Sequence, residues 1–357
     1  MVTTVAAPTA PNEGLAGLHP AYFALVMATG IVSIASEVVG VPLVPKALFA
    51  LNLVFYPVLW ALTIARVLWH RARFVADLSH HGRAVGFFTT AAATSVLGSQ
   101  CLVVGRAPTP AFWLWGLGTA LYVVLVYSVF TALTVKTEKP TLADGINGGW
   151  LLSVVAAQSV AVLGGQLAPA SANPERILFF ALTMWLGGGM LYLWIISLIF
   201  YRYTFFTLAP SDLAPPYWIN MGAAAISTLA GTVLVAASER SPVVAQILPF
   251  VRGLTLMWWA TATWWIPMLL VLGVWRHVVR RFPLRYDPLY WGAVFPLGMY
   301  TAATARLSVA VDASYLLGIP RLTVFVAIGA WTLAFAGMLA HLARTVGKRG
   351  LASDPLA

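Results

Sequence analysis

The ionisable side chains are arranged by what they leave out. The sequence holds eleven acids: Glu13, Glu37, Asp77, Glu138, Asp144, Glu175, Asp212, Glu239, Asp287, Asp312 and Asp354. All fall in polar connections or at the ends of apolar runs. The six histidines, His19, His70, His80, His81, His277 and His341, do the same. No histidine pair can face another across an apolar layer, so bis-histidine haem ligation is unsupported. No lysine lies in the middle of an apolar run, which argues against a retinal Schiff base. The single Cys101 permits no intramolecular disulfide and no cysteine-based metal site. Nucleophile motifs, HExxH and a phosphate-binding loop are missing from the sequence. The chemistry left is that of hydroxyls, glycines and rings. These include Thr29, Gly30 and Ser33, then Thr94, Ser153, Gly222, Ser227 and Thr301, and the pair Phe295–Pro296. Such groups offer weak dipoles and a steric obstacle, which suits passage better than catalysis.

A chain that is 60% hydrophobic and 9% charged over 357 residues cannot cover itself with a soluble surface. It reads as an all-α integral membrane protein. Apolar runs broken by Pro, Gly or charge predict ten spans, at 20–36, 45–69, 84–104, 110–135, 146–167, 175–202, 216–237, 245–275, 288–309 and 319–343. They make one transport domain over 19–345. Residues 1–18 are expected to be a disordered tail with no basic, apolar leader pattern, and 346–357 a second tail. The pair Gly164–Gly165 and the triplet Gly187–Gly189 fall inside spans and read as close-packing points.

The net charge of +10 is distributed by topology. One side carries Arg66, Arg71, Arg73, Arg83, Lys136, Lys139, Arg202, Arg276, Arg280, Arg281, Arg285, Arg344, Lys348 and Arg349. The other carries Lys46, Arg106, Arg176, Arg240, Arg252, Arg306 and Arg321. The positive-inside rule then places both termini in the cytoplasm of a cell-membrane protein, and the charge gives no ground for nucleic-acid binding. With basic residues at both mouths and no acid between them, anions are the favoured cargo.

Three odd-numbered spans open alike, with "PAYF" (Pro20–Phe23), "PPYW" (Pro215–Trp218) and "PLYW" (Pro288–Trp291). Proline suits a first helical turn and Tyr or Trp the membrane interface, and three copies suggest a repeated helical hairpin. Beyond these openings spans 1, 3, 5 and 7 carry no ring, whereas even spans are full of them, as in Phe112–Trp115 or Trp258–Trp265. Small residues let helices approach closely. Odd spans should therefore form an inner ring and even spans an outer one, as repeated hairpins whose inner helices either pack solidly or leave a narrow central path. Span 9 breaks the pattern with Phe295 and Tyr300. At 1.5 Å per residue Phe295 lies roughly 10 Å inside its span, and Pro296 should kink the helix there.

On these residues the chain resembles the tellurite-resistance/C4-dicarboxylate transporter family, which includes plant slow-type guard-cell anion channels, fungal malate permeases and sulfite efflux pumps. "FALVMATGIVSIA" (Phe23–Ala35) is similar to its first-span signature and "WGAVFPLGMYTAAT" (Trp291–Thr304) to its ninth. The resemblance implies ten helices as five hairpins around a central pore, one pore per subunit in a homotrimer, with Phe295 as the occluding ring. Aligning the Pro-x-Tyr openings puts Met27 and Gly222 level with Phe295. It implies transport of small anions, with C4-dicarboxylates such as malate first and sulfite, tellurite or another oxyanion as the alternative. A membrane enzyme or a non-transporting subunit is the reading from other classes. No cofactor or metal is implied.

Overall fold

A computed structural model describes residues 14–352 except Arg285, with side chains described as far as Arg344. The described residues are helical, with no strand among them. The long helices are α1 (Ala24–Val39), α2 (Val44–Trp69), α3 (Phe88–Val103), α4 (Pro108–Val135), α5 (Leu152–Leu167), α6 (Pro174–Phe205), α7 (Ile219–Ala236), α8 (Leu248–Val274), α9 (Trp291–Ala310) and α10 (Gly318–Ala352). Counted with their flanking turns, eight are long and apolar enough to cross a membrane. The two that fall outside that set, α3 and α9, are rich in Thr, Ala and Gly.

Each odd helix is entered through a 3₁₀ turn: Pro20–Phe23, Ala84–Phe87, Gly148–Leu151, Pro215–Trp218 and Pro288–Tyr290. The repeat visible as three Pro-x-Tyr openings thus extends to all five odd helices. Local chemistry explains the turns. Proline begins three of them, where its missing N–H costs nothing. In three, the preceding side chain accepts a backbone N–H two residues on: His19 from Ala21, Asn147 from Gly149 and Asp287 from Leu289. The turns touch in a closed circle, each meeting the next and the last meeting the first. Glycine makes this possible at Gly148, where a Cβ would collide with the Pro216 carbonyl, and at Gly86, where it would lie 3.0 Å from the Ala21 nitrogen.

The helices repeat the circle. α1 packs on α3, α3 on α5, α5 on α7, α7 on α9, and α9 back on α1. Every even helix lies outside two odd ones: α2 on α1 and α3, α4 on α3 and α5, α6 on α5 and α7, α8 on α7 and α9, α10 on α9 and α1. Burial follows this layering. The segment containing α5 is 94% buried over its apolar window and that containing α2 only 17%. Trp113, Tyr127, Trp194, Trp264, Phe325 and Leu333 project from the outer helices. A water-facing surface of such side chains would be unstable, whereas lipid accepts it.

Two expectations change. The terminal helix runs to Ala352, nine residues beyond the expected 343, into the stretch expected to be a tail. Its end remains helical because no Pro intervenes after Pro320 until Pro355. At the other terminus residues 1–13 lie outside the described residues, as do 353–357. Gly14–Gly17 form a 3₁₀ turn, and the Ala16 carbonyl accepts from Arg66 Nε at 3.2 Å.

Candidate anion path

A small cavity of about 20 Å³ lies where all five odd helices meet. Its walls are Ile31 and Ile34 of α1, Val96 and Ser99 of α3, Ser159, Val162 and Gln166 of α5, Ile226 and Leu229 of α7, and Met299 of α9. Within each helix these residues recur at three- or four-residue spacing, the signature of one helical face. One turn nearer the 3₁₀ end, the same faces carry Met27, Gly222 and Phe295. Phe295 and Met27 are each 1% exposed, so both side chains are packed in the interior at this level. α9 runs unbroken through Pro296, whose missing N–H leaves the Gly292 carbonyl without its helical donor. A Cβ on Gly222 would stand 2.7 Å from Pro296 Cγ, so only glycine lets α7 close on the α9 proline.

Beyond the cavity, at the end away from the turns, a vestibule of about 590 Å³ opens. It shares Gln166 and Leu229 with the cavity, and Arg106, Arg252 and Arg306 stand in its wall with Asp312. Arg106 also reaches Glu37 Oε1 at 3.3 Å. Arg306 lies seven residues beyond Met299 and eleven beyond Phe295, on the face of α9 that both occupy. All three arginines are exposed, and Arg252 and Arg306 make no hydrogen bond or ion pair among the described residues. Between this basic mouth and the level of Phe295 the polar groups bordering the cavity are Ser99, Ser159 and Gln166. Ser159 donates to the Val155 carbonyl, which leaves its oxygen lone pairs free. Gln166 Oε1 is buried without a partner. Rotating this amide presents its N–H groups to the path instead.

Most of the hydroxyls expected to line the path face the other way. Thr29 Oγ1 accepts from Trp331 Nε1 of α10 at 3.0 Å. Ser33 Oγ donates to the Pro45 carbonyl of α2 at 2.7 Å. Thr94 meets the Tyr56 hydroxyl of α2 at 2.8 Å, and Thr301 donates to Thr323 of α10 at 2.8 Å. A Cβ on Gly30 would run into Val96, with Asn52 of α2 also close. Ser153 and Ser227 donate to carbonyls of their own helices, those of Trp150 and Ala223, and neither borders the cavity. The Ser227 carbonyl takes the Trp185 indole of α6. The physical reason is the outer ring's demand. An indole or phenol buried in an apolar layer needs a partner, and inner-helix hydroxyls supply it. Tyr300 joins this set, meeting Thr263 of α8 at 2.9 Å, so of the two deep rings on α9 only Phe295 shares the cavity face.

At the 3₁₀ end, cations serve structure. Arg66 Nη2 meets Asp77 Oδ2 at 2.7 Å and Arg83 Nε meets Asp77 Oδ1 at 2.6 Å. Burial pushes the Asp77 carboxyl up, but hydrogen bonds from Arg83 and Arg66 outweigh it and hold it below its usual range. Burial and the Arg83 charge bring His19 down to about 4, so it stays neutral and can cap the first turn through Nδ1. Arg202 ties Ala143 to Asp212. Among the described residues no group of His, Cys, Asp and Glu could hold a metal ion.

Over 166 residues, 46% of this chain and 84% of the relative, the sequence is 40% identical to an uncharacterized membrane protein of Mycobacterium tuberculosis. It is 26% identical to an uncharacterized transporter of Methanocaldococcus jannaschii, over 80% of this chain and 82% of that one. It is 24% identical to the sulfite efflux pump of Trichophyton rubrum, over 90% of each chain. Residues 17–339 match the SLAC1 family, described as voltage-dependent anion channel. The chain is a membrane protein of the SLAC1 family of anion channels and transporters.

Proposed function

We propose that the protein conducts small oxyanions of the sulfite class through one pore per chain, with Phe295 as a movable plug. The observation that carries this is the axial order along the five inner helices: basic vestibule, polar throat, filled level at Phe295. In this reading all ten long helices cross the membrane as five hairpins, and the 3₁₀ ring faces the cytoplasm with both termini. The arginines raise the local anion concentration, and the throat offers hydroxyl and amide dipoles. Weak sites of this kind let an anion leave as readily as it enters. Sulfite takes precedence because a relative aligned over 90% of both chains is a sulfite efflux pump. A three-oxygen anion also matches a narrow throat better than a C4-dicarboxylate does. The homotrimer rests on the family resemblance alone, and the mass of the solubilised particle tests it.

The experiment is reconstitution into liposomes, with sulfite, malate, nitrate and chloride flux compared with and without a pH gradient. Sulfite flux above malate flux, persisting without the gradient, is expected. Malate flux above sulfite flux restores the C4-dicarboxylate assignment. Cation flux above anion flux sinks the proposal.

A further inference from the structure

Two cavities meet on the outside of α9, at its 3₁₀ end. The first, about 170 Å³, is bordered by Arg276 and His277. The second, about 470 Å³, is a groove between α9 and α10. The two share Trp218, Tyr290 and Ala293. From Tyr290 to Leu297 the groove follows α9 for roughly 10 Å. Its only side chains with polar atoms are Trp218, Tyr286 and Tyr290, all toward the basic end. The rest is aliphatic, and Leu333 in its wall is 76% exposed, so the groove opens sideways.

The basic end is built irregularly. A π-turn at Trp275–Val279 ends α8 and carries Arg276 and His277. The Arg276 guanidinium stacks over Phe282 at 4.4 Å, and its buried Nε has no partner. Arg280 lies over the Trp275 ring at 5.8 Å and is otherwise exposed, as is Arg281. His277 Nδ1 is held by the Phe282 carbonyl at 2.9 Å. Two acids lie near: the Asp287 carboxylate already accepts the Leu289 N–H at 2.8 Å, and Asp212 is paired with Arg202 at 3.2 Å. An apolar groove with aromatic rings at its mouth and a surplus of arginine above them matches an amphiphile whose head is an anion.

We propose that this is a binding site for an anionic phospholipid, its phosphate on Arg276 and Arg280 and one acyl chain along Val294, Leu297 and Ala330. A neutral headgroup would leave the arginine surplus uncompensated, so selectivity resides at the head and depth in the groove. Each arginine near a lipid phosphate contributes about fivefold in affinity, so removing two costs about twenty-five-fold.

Native mass spectrometry of the full chain, released from micelles holding equal phosphatidylglycerol and phosphatidylcholine, tests this. Wild type should retain phosphatidylglycerol in preference. Arg276→Gln with Arg280→Gln should cut that retention about twenty-five-fold without changing phosphatidylcholine. Ala330→Phe, which fills the groove, should reduce both lipids, and Ala334→Leu repeats the test if that variant melts early. Equal retention of the two lipids by wild type overturns the proposal. So does displacement of phosphatidylglycerol by inorganic phosphate, which would mean the head site acts without the groove. A change in subunit number with Ala330→Phe at unaltered lipid content would assign the groove to a second copy of the chain and overturn it too.

Discussion

Truncating Phe295 to alanine separates a gate from a packing residue, because the two roles give opposite signs. The ring is 1% exposed and sits one turn from a throat cavity of only about 20 Å³. An anion reaching it meets a dry surface and loses hydration without gaining a partner, a penalty of several kcal/mol. Removing the ring lets water follow the ion. If that relieves even about 1.4 to 2.8 kcal/mol of the barrier, flux rises about tenfold to a hundredfold. The same truncation also removes a buried ring from a close-packed layer. By analogy with soluble cores this costs about 3–5 kcal/mol of stability, a large part of a typical total of about 5–15 kcal/mol. Flux must therefore be normalised to correctly assembled protein, by size-exclusion recovery and melting temperature in the same preparation. Phe295→Leu should lie between alanine and wild type, and Phe295→Trp should stay closed. Pro296→Ala restores a donor for the Gly292 carbonyl and should alter gating without widening the path. Wild-type flux per assembled Phe295→Ala protein, together with a lowered melting temperature, would refute the gate and return Phe295 to packing.

Other perturbations probe the rest of the arrangement. Arg306→Gln should lower flux a few-fold, and more for divalent than monovalent anions. A unit charge about 8 Å away contributes roughly 0.5 kcal/mol in water, and raising ionic strength should shrink the difference. Thr29→Val should cost about 1 kcal/mol by orphaning the Trp331 indole, while leaving flux per assembled protein unchanged; a flux effect larger than that of Met299→Ala would return Thr29 to the path. Asp77→Asn should lower stability by about 3–5 kcal/mol, read by thermal melting, because it leaves Arg66 buried without its carboxylate. His19 carries a pKa lowered to about 4 in the folded chain, so its contribution is full above about 6.5 and is lost as pH falls from there toward 4. Wild type should lose melting temperature over that window relative to His19→Asn, which keeps a capping acceptor and does not titrate.

The layered architecture was legible because it is written in composition. Rings on even spans and their absence from four odd ones report which helices meet lipid, and the packing circle follows that division helix by helix. Most span limits hold within a few residues, since Pro and Gly punctuate them. Two of the five 3₁₀ openings escaped notice because "AVGF" and "GGWL" lack the Pro-Tyr pair. There the same turn is secured by other means, Asn147 capping one and the Gly148 contact closing the circle.

Individual lining residues were harder to read, and the reason is physical. Residue type alone points hydroxyls and glycines toward the path. In a two-layer membrane bundle, however, a hydroxyl is worth more where it relieves a buried indole or phenol than where it meets a closed, dry axis. Thr29, Thr94 and Thr301 accordingly turn outward. Position, not type, locates the axis. Counting from the openings at Pro20, Pro215 and Pro288, the seventh residue on is Met27, Gly222 and Phe295, and the eleventh is Ile31, Ile226 and Met299. Those three eleventh residues all border the central cavity, as does Ser159, eleven beyond Gly148. Helical period carries the register onward to Arg306, which joins the vestibule. From Ala84 the same count lands on Ser95, one residue short of the lining Val96, so it holds for four of the five openings. The face it marks is largely aliphatic next to the level of Phe295 and becomes polar and basic toward the vestibule.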